Sequence, residues 1–153
     1  MSDLNYNNEL TFSQQYNISG VENPFSRKLS NFFDYYFKDY SMNKIKRTSE
    51  FTNWIFVAHK GDEIIGAIKG DIMWGVIHID LLIVIPEYRK LGVGTKLYNL
   101  AIEKAKKEDC KLATVETFDF QAPEYWKSKG FNVDFIRSGY ETNQLYFLSK
   151  SLL

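Results

Sequence analysis

Val84-Ile85-Pro86-Glu87-Tyr88-Arg89-Lys90-Leu91-Gly92-Val93-Gly94 is the stretch on which the fold of this chain turns. An apolar run, Val76 to Ile85, leads into it and reads as a strand. Pro86 has no N–H to give to a strand ladder, so pairing ends there. Gly92 and Gly94 let backbone amides approach a ligand without a Cβ in the way. The spacing predicts a helix from Thr95 to about Glu108, with its unpaired first amides and positive dipole end at the glycines. Arg89 and Lys90 add mobile positive charge. These features together point to a phosphate or pyrophosphate.

Spacing narrows the ligand. A dinucleotide fingerprint needs a third glycine where this chain has Leu97, and a P-loop needs Gly-Lys-Ser/Thr where it has Gly94-Thr95-Lys96. Arg-x-x-Gly-x-Gly (Arg89, Gly92, Gly94) after Val-x-Pro resembles the acetyl-CoA pyrophosphate loop of the GNAT superfamily of N-acetyltransferases. A second block agrees. After a strand-like run, Leu112 to Thr117, comes Phe118-Asp119-Phe120-Gln121-Ala122-Pro123-Glu124-Tyr125-Trp126-Lys127-Ser128-Lys129-Gly130-Phe131. Pro123 is placed as a first-turn helix proline and Gly130 as a glycine just past a helix end. The Gln-Ala-Pro-x-aromatic-aromatic pattern resembles the second acyl-CoA motif of a bacterial GNAT subgroup. Both motifs stand in the family's order within residues 54–150.

The resemblance implies acetyl-CoA as co-substrate and calls for no metal. It implies that Leu82, Ile83 and Val84 present free backbone to the pantetheine arm. It implies that the loop Arg89, Lys90, Leu91, Gly92, Val93, Gly94 and Thr95 holds the diphosphate, with Gln121 and Trp126 on the second motif. The family commonly dimerises, and the sequence leaves open whether a homodimer forms here.

Composition sets limits. The 153 residues read as one domain, with residues 1–9 a flexible lead-in, and a chain of this length buries about two-thirds of its unfolded surface. With 19 basic and 19 acidic residues the formal charge is zero, and no dense basic face argues for nucleic acid. The single cysteine, Cys110, cannot close an internal disulfide, which suits a reducing cytoplasm; it reads as a small buried filler. The polar start lacks a signal core, and no apolar run approaches the ~20 residues that span a bilayer. A cytoplasmic location is expected.

Along the chain, Leu10 to Tyr16 reads as a first strand and Asn17 to Pro24 as turn. Leu29 to about Lys46 reads as a helix whose stripe of Leu29, Phe32, Phe33, Tyr36, Phe37 and Tyr40 suits core. The stripe is also placed to roof an acceptor pocket. Trp54 to Lys60, Glu63 to Trp74 and Val76 to Ile85 are strands joined by tight turns. The helix from Thr95 shows Leu97, Leu100, Ala101 and Lys104 at helical spacing. Asn132 to Arg137 and Gln144 to Ser149 close the sheet. The fold class is therefore α/β (α+β): a mixed, mostly antiparallel sheet flanked by helices. The crossover makes its two flanking strands parallel and right-handed in sense. In the resembling family that pair splays apart.

The implied chemistry is direct attack of an amine on the thioester. A lysine-like amine has a pKa near ~10.4 in water, so a base or a desolvating pocket is needed. His78 and Asp80 share one face of an apolar strand by the period of two, and Glu116 near the end of the next strand is a third candidate base. His78 holds the place where some family members carry a glutamate base. Many members place an acid tyrosine where this chain has Trp126, whose indole donates a hydrogen bond but transfers no proton. Tyr125 is adjacent, about 100° away around a helix. Trp126 is expected to pack on the pantetheine end. The acceptor should be a small-molecule amine, its pocket built from the first helix, the Trp74-Gly75 turn and Ser138 to Gln144. Asp71, Asp80 and Glu141 suit a cationic acceptor. Two other classes stay open: a non-catalytic acyl-CoA sensor, and a protein-interaction domain using exposed aromatics.

Overall fold

The computed structural model describes residues 27–33, 35, 36 and 51–153. The chain divides into two units, Met1–Lys46 and Arg47–Leu153. In the first, residues 27–33, 35 and 36 are helical (α1). The ring of Phe32 meets those of Phe33 and Tyr36, yet all three are exposed. The core role expected of that stripe is not theirs in the described helix. The expected strand at Leu10 to Tyr16, the turn after it and the rest of the helix to Lys46 lie outside the described residues.

The second unit is a sheet of β1 (Thr52–Lys60), β2 (Glu63–Met73), β3 (Val76–Val84), β4 (Leu112–Phe118), β5 (Asn132–Tyr140) and β6 (Asn143–Ser151). Helix α2 (Val93–Lys107) connects β3 to β4, and α3 (Pro123–Ser128) connects β4 to β5. The strand order is β1-β2-β3-β4-β6-β5. Only β3 and β4 run parallel; every other neighbouring pair is antiparallel. This is the mixed sheet that the order of hairpins and one helical crossover requires.

One sheet face makes the core. Ile68, Ile72, Ile77, Ile79, Ala113, Val115 and Leu148 are buried with α2 residues Leu97, Tyr98, Ala101 and Ala105. Each large aliphatic side chain buried there contributes about 1.5–3 kcal/mol. Ala101 and Ala105 are fully buried, and their small side chains bring the helix close to the strands. The buried stripe of α2 differs from the expected one. Leu100 is exposed and Lys104 reaches back to solvent to pair with Glu108 at 3.3 Å. Tyr98 takes the inward place because its ring meets Trp126 and Phe131 edge-on and its hydroxyl accepts from Lys150 Nζ at 3.0 Å.

The register of β3 holds the feature that shapes the site. Ile79 pairs with Gly70 and Leu81 with Lys69, so Asp80 is a surplus residue in the strand. A bulge of one residue reverses which positions face inward. Before it, Ile77 and Ile79 are buried; after it, Leu82 and Val84 pack on the core while Leu81 and Ile83 are exposed. Gly70 opposite is forced by contact: a Cβ there would lie 1.9 Å from the His78 carbonyl oxygen and 2.7 Å from the Trp54 ring.

Candidate active site

The bulge coincides with the point where two parallel strands part. Val76 to Ile79 pair with Leu112 to Val115, and the pairing stops there. From Asp80 to Val84, β3 keeps β2 on one side and makes no ladder with β4 on the other. Leu82, Ile83 and Val84 thus lie along an open strand edge. Such an edge can accept an extended ligand as an added strand would be accepted.

Below the open edge the chain makes one 3-10 turn at Pro86–Tyr88 and enters α2. Lys90 and Gly92 both have positive φ, 62° and 83°. Gly92 is the N-cap in the left-handed region, with no side chain capping the helix. The first helical bond runs from the Lys96 N–H to the Gly92 carbonyl at 3.0 Å. The N–H groups of Val93, Gly94 and Thr95 precede it and gather at the positive end of a 15-residue helix. The helix starts two residues earlier than expected because Gly94 is already helical. Arg89 is less mobile than its exposure suggests: its Nε donates to the Val84 carbonyl at 2.9 Å, tying the loop to the end of β3. Lys90 and Leu91 are exposed.

Helix α3 walls the same end. Trp126 is 5% exposed, packed edge-on against Phe131 and Tyr98. Its ring is part of the core cluster. Tyr125 is the α3 residue that reaches the start of α2: a Cβ placed on Gly94 would be 3.6 Å from the Tyr125 hydroxyl and 3.6 Å from Val84. That hydroxyl is buried without a hydrogen-bond partner, and the neighbouring Thr95 hydroxyl accepts instead from Lys129 Nζ at 2.9 Å. Burial pushes Tyr125 up to about 12, opposed by Thr95 and reinforced by Tyr98. Lys129 also lies over the Tyr125 ring at 5.3 Å. Gln121 serves its own turn, its Oε1 accepting from the Phe118 N–H at 2.9 Å and from the buried Thr117 hydroxyl at 3.3 Å.

On the sheet face away from α2, His78 Nδ1 and Thr114 Oγ1 are 2.8 Å apart, and His78 Nε2 is 3.6 Å from Asp80. Asp71 is cross-strand from His78. Burial raises its pKa, with His78 lowering and Asp80 raising it further. Glu116, the first β4 residue past the last β3 pair, is exposed on this face by the period of two from Thr114. His78 and Asp80 thus stand together on β3, and Glu116 follows on β4 one residue past the last β3–β4 pair. Among the described residues no three His, Cys, Asp or Glu side chains are arranged to hold a metal ion.

A free strand edge above an uncapped helix start accommodates a long ligand with an anionic end, and a histidine held by a hydroxyl and a carboxylate can move a proton. Residues 15–131 match the model of the Acetyltransferase (GNAT) family. The chain belongs to that family. Blasticidin-S acetyltransferase of Streptomyces morookaense is 36% identical over 72 residues, 46% of this GNAT chain and 53% of that protein. The match thus spans about half the length of the curated relative. An acetyltransferase from Bacillus cereus ATCC 14579 superposes with a TM-score of 0.72 at 24% identity, covering 88% of this chain and 99% of that one. An aminoglycoside 6'-N-acetyltransferase solved with coenzyme A gives 0.59 at 14% identity, covering 86% and 93%. At these identities the two structures speak for the GNAT fold.

Thr114, Gly70 and Lys129 went unmarked in the sequence. Thr114 was findable, two residues before Glu116 on a strand of period two. Gly70, a lone glycine inside a strand, is itself a signal of close backbone approach. Lys129 carries no local signal, because its partner Thr95 is 34 residues away.

Proposed function

We propose that this chain transfers an acetyl group from acetyl-CoA to a primary amine of a small-molecule acceptor by direct attack. The observation that carries this is the fork: an open β3 edge ending over the uncapped start of α2, with His78 at its mouth. The amides of Val93, Gly94 and Thr95 hold the diphosphate, with Lys90 and the outer guanidinium N–H groups of Arg89 adding charge. The open edge of Leu82 to Val84 takes the pantetheine amides. The residues fit the group because no side chain fills the place at Gly92, where nothing lies within 4 Å of a built Cβ.

The amine nitrogen bonds to the thioester carbonyl carbon, the C–S bond breaks, and coenzyme A leaves as a thiolate that takes a proton from water; the chain supplies orientation and a path for the amine proton. His78 accepts the amine proton directly or through one water, oriented by Thr114 and supported by Asp80. Asp80 and Glu116 favour an amine arriving as a cation. Tyr125, raised to about 12, keeps its proton at neutral pH. Beside Gly94 its hydroxyl, which has no partner within the described residues, is placed to donate a hydrogen bond to the ligand. Work in the cytoplasm is part of this proposal, and the oligomeric state is left open by it.

Free-thiol release from acetyl-CoA across polyamines, amino acids, aminoglycosides and peptides tests it, alongside calorimetry with coenzyme A. Thiol release with an amine present and coenzyme A binding are expected. Binding without turnover on any amine would favour a sensor, and absence of binding would reduce the chain to an interaction module.

A further inference from the structure

The sheet face that carries His78 continues past the fork, and its far end is built. Glu116 pairs across to Phe147 on β6, and cross-strand partners share a face. Phe147 in turn pairs with Phe135 on β5, and the two rings stack at 4.2 Å and 12°. Arg137 lays its guanidinium over both, with Cζ 4.8 Å from the Phe147 centroid and 5.7 Å from that of Phe135. A guanidinium drawn to aromatic rings at these distances still has N–H groups to offer a planar anion. No carboxylate among the described residues pairs with it.

The face is therefore graded in charge. Asp80 and Glu116 mark the fork, Phe147 is an apolar middle, and Arg137 is a fixed cation at the end. We propose that Arg137 anchors a carboxylate on the acceptor, so that the acceptor is an amino acid with its amine and carboxylate far apart. His78 stands on β3, three strand spacings from β5 in the order β3-β4-β6-β5, which sets the amine and the carboxylate roughly 14 Å apart. An α-amino acid is too short, and an apolar spacer, aliphatic or aromatic, suits the phenylalanine pair. The proposal rests on the transfer reaction above for its amine end, but the anion end stands on Arg137 alone.

The test uses the full chain saturated with coenzyme A and the probe 11-aminoundecanoate, which is about the required span when extended, against its primary amide. Calorimetry should show the acid binding at least tenfold tighter than the amide. That preference should fall to near unity in Arg137→Gln and be partly kept in Arg137→Lys, which retains charge without the fork. Equal binding of acid and amide, failure of both to bind, or an unchanged preference in Arg137→Gln overturns the proposal. Thiol release from acetyl-CoA is read separately. Acid preference without thiol release upholds the Arg137 site and sinks the transfer reaction. Thiol release on simple amines without acid preference does the reverse.

Discussion

Gly92 offers the sharpest separation of binding from folding. Its φ is 83° and nothing lies within 4 Å of a built Cβ, so valine there meets no clash; it meets a backbone that L side chains resist. The left-handed penalty is about 1–2 kcal/mol, with a β-branched residue at the upper end. A valine relieves it by swinging φ negative, which turns the Val93 amide off the helix axis. Gly61, in the β1–β2 turn, has φ 59° and equally empty surroundings, but no helix start. Gly61→Val should therefore share the stability loss, about 2–8 °C in Tm, and nothing else. Gly92→Val should lose one or two charge-assisted N–H bonds to the diphosphate in addition, weakening coenzyme A by about 10- to 100-fold. Melting and calorimetry on the two variants decide it. If Gly92→Val binds coenzyme A like the parent while both melt equally early, the amide grip is wrong.

The other predictions concern the walls of the site. Trp126→Ala should destabilise by about 3–5 kcal/mol, as the loss of a buried aromatic does, with little change in coenzyme A affinity of the folded protein; a selective loss of affinity would return Trp126 to the ligand surface. His78→Gln should cut turnover by about 10²- to 10⁴-fold while coenzyme A still binds, and a loss under tenfold would move the base elsewhere. Tyr125 titrates at about 12 when folded against about 10 when unfolded. The stability it lends is present below pH 10 and fades as the pH climbs through 12. An ultraviolet titration of the parent minus Tyr125→Phe should show that late tyrosine, and a difference centred near pH 10 would refute its burial.

Much of this was legible in the chain, for definable reasons. Pro86 and the paired glycines fix where β3 ends and α2 begins, because each acts through its own backbone. Pro123 and Gly130 bracket α3 likewise. The tilt of α2 was not legible: choosing Tyr98 over Leu100 depends on Trp126 and Phe131, which only the fold brings near. The same contacts pull Trp126 inward and leave Tyr125 at the loop, a choice between neighbours that helical angles alone do not make. The bulge hid for another reason. Leu81, Leu82, Ile83 and Val84 are apolar on both faces, so alternation carries no mark of a surplus residue.

That surplus has a wider consequence. Remove Asp80, and Ile77, Ile79, Leu82 and Val84 would alternate without interruption, free to zip against the whole of β4. The deleted chain should still form six strands, with slower amide hydrogen exchange along β4 and no affinity for coenzyme A; retained affinity would show that the parting of the strands has another origin. Between a sheet that admits a guest and one sealed shut, the difference in heredity would be three nucleotides.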